Sequence, residues 1–206
     1  MKKFFATVPL QKEEQLKHFV YAAQGNSRLS MDEATRFPII PAINGYVTQG
    51  EPFRVIAVVQ DNGDAERNYG YLCEELHALC ERKGLLYPDR GVERVTGPAD
   101  QCVSSNVDTF QALIDLVEDD DELFACVTYG TKPMSMALLT AVRYAYRLKR
   151  NTTVSCVVYG EVDRGGDWKA KIYDETALVQ LDEITRMLAE RGDAHPKESI
   201  RAILSL

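Results

Sequence analysis

Between residues 54 and 159, short apolar runs alternate with segments whose apolar residues recur every three or four positions, and few folds accommodate that alternation. The runs at 55–59, 93–95, 124–128 and 153–159 are rich in Val, Ile and Phe and too short for helices, so they read as buried strands. Residues 4–8 and 169–173 have the same character. Tyr69, Leu72, Cys73, Leu76, Leu79 and Cys80 form a helical stripe that ends before Gly84. Val107, Phe110, Leu113, Ile114 and Val117 form a second, and Met134, Leu138, Ala141, Ala145 and Leu148 a third, with Arg143, Arg147, Lys149 and Arg150 towards its C-terminus. Each crossover helix must bury its stripe against the sheet. The pattern therefore predicts an α/β fold, a mostly parallel sheet of about six strands with helices on both faces. Strand 169–173 follows 153–159 across a polar, glycine-bearing link, which predicts an antiparallel hairpin at the sheet edge.

Residues 1–175 read as one domain, with an excursion at 10–50. In it, Leu16, Phe19, Val20 and Ala23 suggest a short helix, and the two prolines of FPIIPAING deny that segment a central strand. Residues 176–206 read as a helical extension: Ala177, Leu181, Ile184 and Leu188 make one stripe, and Pro196 opens a last short helix through Ile200 and Ile203. No apolar run is long enough for a bilayer, and the opening MKKFFATVPL lacks the apolar core of a signal peptide, so the expectation is a cytoplasmic protein with no membrane partner. A net charge of −7 argues against broad binding to long DNA or RNA but leaves room for a small anionic ligand in one electropositive pocket. The five cysteines are dispersed and read as reduced packing residues. Cys73 and Cys80 share a helical face, but no histidine or second cysteine pair accompanies them, and no metal or cofactor is expected.

The chemistry-bearing stretch is VTYGTKPMS at 127–135, where a buried strand runs into a helix. In open α/β sheets ligands collect beyond the C-terminal ends of parallel strands, where helix N-termini expose unpaired amides. Gly130 permits a tight turn and close ligand approach, Thr131 caps the helix, and Pro133 is tolerated in its first turn. Thr128, Thr131, Lys132 and Ser135 add hydroxyls and an ammonium to a terminus that already favours anions. A plain turn and cap accounts for the same residues, with Lys132 in solvent. Neither a Walker nucleotide loop nor a GxGxxG fingerprint is present, which counts against ATP hydrolysis and ordinary NAD binding.

This block, followed by an apolar helix and a strand, resembles the signature loop of the CARF family, the CRISPR-associated Rossmann-like sensor domains, which often carry a Thr-Gly-Gly-Thr-Lys motif here. Tyr129 stands where many relatives have the first glycine. The family's second ligand-facing loop follows its first strand, which the resemblance maps onto Thr7, Val8, Pro9, Leu10 and Gln11. The resemblance implies a Rossmann-like fold and a homodimer that binds cyclic oligoadenylate, the second messenger of type III CRISPR antiviral defence, across its two-fold axis. Thr128, Tyr129, Gly130, Thr131, Lys132 and Met134 would join the first loop in facing the ligand.

Three readings follow. The domain is a ring nuclease, with Lys132 stabilising the charge while Thr131 and Ser135 position hydroxyls for metal-independent attack by the ribose 2′-hydroxyl. It is a sensor that relays binding to an effector protein through residues 176–206. Or it is an unrelated nucleotide-binding enzyme. The HEPN ribonuclease pattern of larger relatives is absent: His195 follows Arg191 with three residues between and Arg186 with eight. Asp167-Trp168-Lys169 has the acidic-x-Lys form of metal-dependent nucleases but lies beside Gly165 and Gly166 in an expected turn. The run Asp119, Asp120, Asp121 and Glu122 reads as a solvated loop. Asp61, Asn62, Gly63 and Asp64 read as a turn on the ligand side, His18 as a residue within reach of the pocket or at the surface, and His77 as solvated.

Overall fold

The computed structural model describes residues 1–163 and 168–204. In chain order the elements are β1 (Lys2–Thr7), β2 (Tyr21–Gln24), α1 (Ile39–Tyr46), β3 (Phe53–Val59), α2 (Gly63–Lys83), β4 (Val92–Thr96), α3 (Val103–Ile114), β5 (Glu122–Cys126), α4 (Lys132–Leu148), β6 (Thr153–Val162), β7 (Ala170–Asp174), α5 (Thr176–Arg191) and α6 (Pro196–Leu204). The strands form one seven-stranded sheet in the order β2-β7-β6-β5-β1-β3-β4. Every pairing is parallel except β6 with β7. The α/β, Rossmann-like architecture is the one the alternation predicts.

Helices cover both faces because β1, β3 and β5 are buried on both sides. Phe4, Val55, Phe124 and Val158 pack under Ile39, Ile43, Leu72, Leu76 and Leu79 of α1 and α2. Phe5, Ile56, Ala125 and Val157 pack under Leu113, Met134, Leu138, Ala141 and Val179 of α3, α4 and α5. Helix ends follow local chemistry. The Asn62 side chain caps α2 by accepting the Asp64 amide at 2.8 Å and the Ala65 amide at 3.4 Å, and Gly84 stops the helix in the left-handed region at φ 63°. The turn at 61–64 is therefore a cap.

The structure corrects several expectations. Residues 16–23 are not helical: a short 3-10 turn (Glu13–Gln15) leads into β2, whose Tyr21 is buried. The spacing of Leu16, Phe19, Val20 and Ala23 matches a helix locally, but pairing of Tyr21–Gln24 with β7 overrides it. The β6–β7 hairpin consequently lies one strand in from the edge that β2 forms. FPIIPAING supplies α1, in which Pro41 sits in the first turn where no intrahelical amide bond is lost. Leu148 and Val107 are exposed, Leu148 because it ends the last turn of α4. Asp119 and Asp120 are solvated, but Asp121 is buried against the buried Lys3, their charges 2.6 Å apart. Lys3 also donates to the Leu116 carbonyl at 2.8 Å, and Asp121 accepts the Glu118 amide at 2.7 Å. The N-terminal ammonium approaches Asp121 at 3.3 Å. Glu122 opens β5 and accepts the Ser155 hydroxyl at 2.6 Å.

In the C-terminal extension, α5 docks on the sheet: Thr176 accepts the Val157 amide at 2.8 Å, and Arg147 of α4 reaches Asp182 and Glu183, each at 2.7 Å. α6 buries no residue. Among the described residues no helix is long and apolar enough to cross a membrane.

Removing one partner of a buried ion pair strands the other charge. Asp121→Ala is expected to cost about 3–5 kcal/mol in urea unfolding, and the paired change Lys3→Met with Asp121→Leu to recover most of that loss.

Candidate functional site

After β1 the chain first lays down β2 at the far edge, then β3 and β4 on one side of β1, and then β5 and β6 on the other, so among the central parallel strands the order reverses between β1 and β5. That is the switch point at which open α/β sheets form their ligand crevice. The two sequence-predicted loops meet there. β1 and β5 pair in register from Lys2 with Glu122 to Ala6 with Cys126, and just beyond, the Thr7 hydroxyl donates to the Tyr129 carbonyl.

Gly130 has φ 86°, and a Cβ placed on it would lie 3.1 Å from Thr7 Cβ and 3.4 Å from Met134 Cε. The conformation thus calls for glycine, and a side chain would in addition press on Thr7. Thr131 is the N-cap of the seventeen-residue α4, its hydroxyl accepting the Met134 amide at 3.5 Å, and the Ser135 hydroxyl donates back to the Thr131 carbonyl at 3.4 Å. Lys132 is exposed on the first turn, with no hydrogen bond or ion pair to any described residue. Pro133 has no amide hydrogen and the Met134 amide is taken by the cap, so the Lys132 ammonium shares the solvent with the backbone amide of Lys132 itself.

Thr128 accepts the Gly160 amide at 2.8 Å and the Cys126 thiol at 3.2 Å, which fixes the strand exit against β6. Burial pushes the Cys126 thiol up, so it stays protonated and is no nucleophile at neutral pH. Tyr129 turns inward: its hydroxyl donates to the Arg36 carbonyl at 2.7 Å, and burial holds the phenol well above its ordinary pKa. The loop after β1 is held from α2 by Asn68, which is fully buried and donates to the carbonyls of Pro9 at 2.9 Å and Gln11 at 2.8 Å. Arg67 adds a third bond, to the Gln11 carbonyl at 3.1 Å.

The sequence-predicted residues thus separate into layers. Leu10, Gln11, Thr128, Tyr129 and Gly130 line a groove of about 280 Å³ at the loop junction. Thr7, Val8, Pro9 and Met134 are buried and line neither groove, Thr7 lying under the Tyr129 carbonyl. Thr131 and Ser135 close the helix cap. A larger groove of about 380 Å³ shares Gln11, Gln15, Thr128 and Tyr129 with the first and extends to Lys17, Phe19, Tyr159, Glu161 and Trp168, none of which the sequence reading placed here.

The remaining candidates lie apart from this chemistry. His18 is paired with Glu75 at 3.3 Å, and His77 lies exposed beside Glu81 and the Tyr87 ring. Asp167, with Gly165 and Gly166, falls outside the described residues. Among the described residues no three of His, Cys, Asp and Glu come together as a metal site.

Asn68→Ala leaves the Pro9 carbonyl without its donor and the Gln11 carbonyl with Arg67 alone. It is expected to cost about 1–3 kcal/mol and to speed amide exchange in residues 8–11 selectively, read by hydrogen–deuterium exchange. No protein-family model matches the chain, and no curated protein is similar to it.

Proposed function

We propose that this protein is a CARF-like sensor that binds cyclic oligoadenylate, with the phosphates held by the backbone amides of the Gly130–Lys132 turn and the Lys132 ammonium. The observation that carries the reading is the unpaired Lys132 on a capped helix N-terminus beside a glycine that leaves the backbone open, at the sheet's switch point. One such cradle and one cation suit a compact anion far better than a polymer, in keeping with the net charge of −7.

A rotationally symmetric ring is gripped best by two copies of one loop, and the surface beside the loop has the character of an isologous contact. Val103 and Met136 are 79% and 69% exposed, on the outer faces of α3 and α4. Val107 continues the band, and Phe110 meets Tyr144 edge-on at 6.0 Å where the two helices touch. Pairing two protomers through this band brings the adjacent Lys132 loops towards one axis.

Binding without cleavage fits the site better than a ring nuclease. The Thr131 and Ser135 hydroxyls are engaged in the helix cap, and the three histidines lie elsewhere, His18 on Glu75, His77 beside Tyr87 and His195 at the start of α6. Among the described residues that line the groove the carboxylate is Glu161, and it is engaged by the Tyr173 hydroxyl at 2.7 Å.

The test is incubation of the purified protein with cyclic tri-, tetra- and hexa-adenylate in EDTA, following retained ligand and linear products. Retention without products is expected, with Lys132→Ala weakening retention by about tenfold or more and His18→Ala leaving it unchanged. Linear products carrying a cyclic phosphate would identify a ring nuclease. Unchanged affinity in Lys132→Ala would remove the proposed cradle.

A further inference from the structure

The larger groove next to the loop has a wall that the phosphate cradle does not use. Trp168, the chain's single tryptophan, is 43% exposed at its rim. Its backbone lies at φ 51°, a left-handed conformation that is sterically costly for a bulky side chain and persists where the surroundings impose it. The ammonium of Lys17 sits 4.4 Å from the centre of the indole. The Phe19 ring is nearly parallel to the indole, at 7° and 6.3 Å, and meets Tyr21 edge-on, also at 6.3 Å. Tyr21 in turn lines the same groove as Tyr129 of the loop. A train of aromatic rings therefore runs from the half-open indole to the residue before Gly130. The rest of the groove is polar, with the amides of Gln11 and Gln15 and the carboxylate of Glu161.

A partly exposed indole at the rim of a polar groove suits a flat ligand with a polar edge, and a nucleobase is such a ligand. We infer that this cleft is a nucleobase subsite, in which a base stacks on Trp168 beside Lys17 while its phosphate occupies the Gly130–Lys132 turn. The inference rests on the reading of that turn as a phosphate cradle, since the groove with Trp168 and the one with Gly130 share Gln11, Gln15, Thr128 and Tyr129. The hairpin base that carries Trp168 then contributes affinity that the loop motif alone does not report.

Because Trp168 is unique, its fluorescence reports the subsite directly. The wild-type protein is titrated with cyclic tetra-adenylate, adenosine 5′-monophosphate and inorganic phosphate, and retention of radiolabelled cyclic tetra-adenylate is measured separately by equilibrium dialysis. Saturable quenching by both adenylates but not by phosphate is expected, with Trp168→Ala weakening retention about tenfold and Trp168→Phe keeping most of it. Retention of cyclic tetra-adenylate without quenching, or with equal affinity in folded Trp168→Ala, overturns the stacking subsite and leaves the cradle standing. Quenching by the monophosphate with no retention of the cyclic ligand supports the subsite and overturns the cyclic-ligand reading. Neither quenching nor retention overturns both.

Discussion

Two charges that have left water, Lys3 on β1 and Asp121 just before β5, anchor the centre of the sheet at the end opposite the candidate site. A buried pair of this kind contributes little net stability relative to an apolar substitute, but it tolerates no other register, because a shift of one residue strands both charges. The carbonyl of Leu116 and the amide of Glu118 take up further hydrogen-bonding capacity, so the pair is satisfied as well as matched. With Lys2 held opposite Glu122, the pairing runs up to Ala6 opposite Cys126 and delivers Thr7 beneath the Tyr129 carbonyl. The site's geometry is thus the far end of a ruler fixed at Asp121.

On that ruler the loop is built by exclusion. Thr7 fills the space that a side chain at position 130 would need, so the turn keeps its backbone bare. Tyr129, which stands where the CARF motif often has glycine, does not obstruct the turn, because its ring passes inward to the Arg36 carbonyl and joins the excursion at 10–50 to the strand exit. The excursion supplies Lys17 and Phe19 to the groove, so this segment between β1 and β3 is part of the site's architecture. Asn68 performs the matching task for the other loop by holding the carbonyls of Pro9 and Gln11 from a fully buried position on α2.

Much of this was legible in the sequence where local chemistry decides conformation. The buried strands, the three helix stripes, the Gly130 turn and the Thr131 cap each rest on residues within a few positions of one another. What escaped depends on partners far away in the chain. β2 carries a helix-like spacing that only pairing with β7 reverses. Asp121 sits in a run that reads as solvent-exposed until Lys3, far upstream, reaches it. Asn68 is one polar residue on an apolar stripe, and its fully buried position is the signal that marks it as an anchor. Trp168 follows a glycine pair and reads as part of a turn, while its contacts with Lys17 and Phe19 span most of the chain's length. Val8, Pro9 and Met134 belong to the loop motifs yet are buried, because a motif read along the chain does not separate side chains that face the core from those that face solvent.

The central claim is the location of the ligand, at the β1–β5 switch point. A backbone amide spectrum of the 15N-labelled protein, titrated with cyclic tetra-adenylate, tests it most directly. The account predicts that the largest shifts fall on Gly130, Thr131 and Lys132, with the Trp168 indole moving in the same titration. Shifts confined to the groove between β4 and α3, around Gly97 and Asp108, or to the pocket around Arg54 and Tyr87 at the opposite end of the sheet, would contradict it.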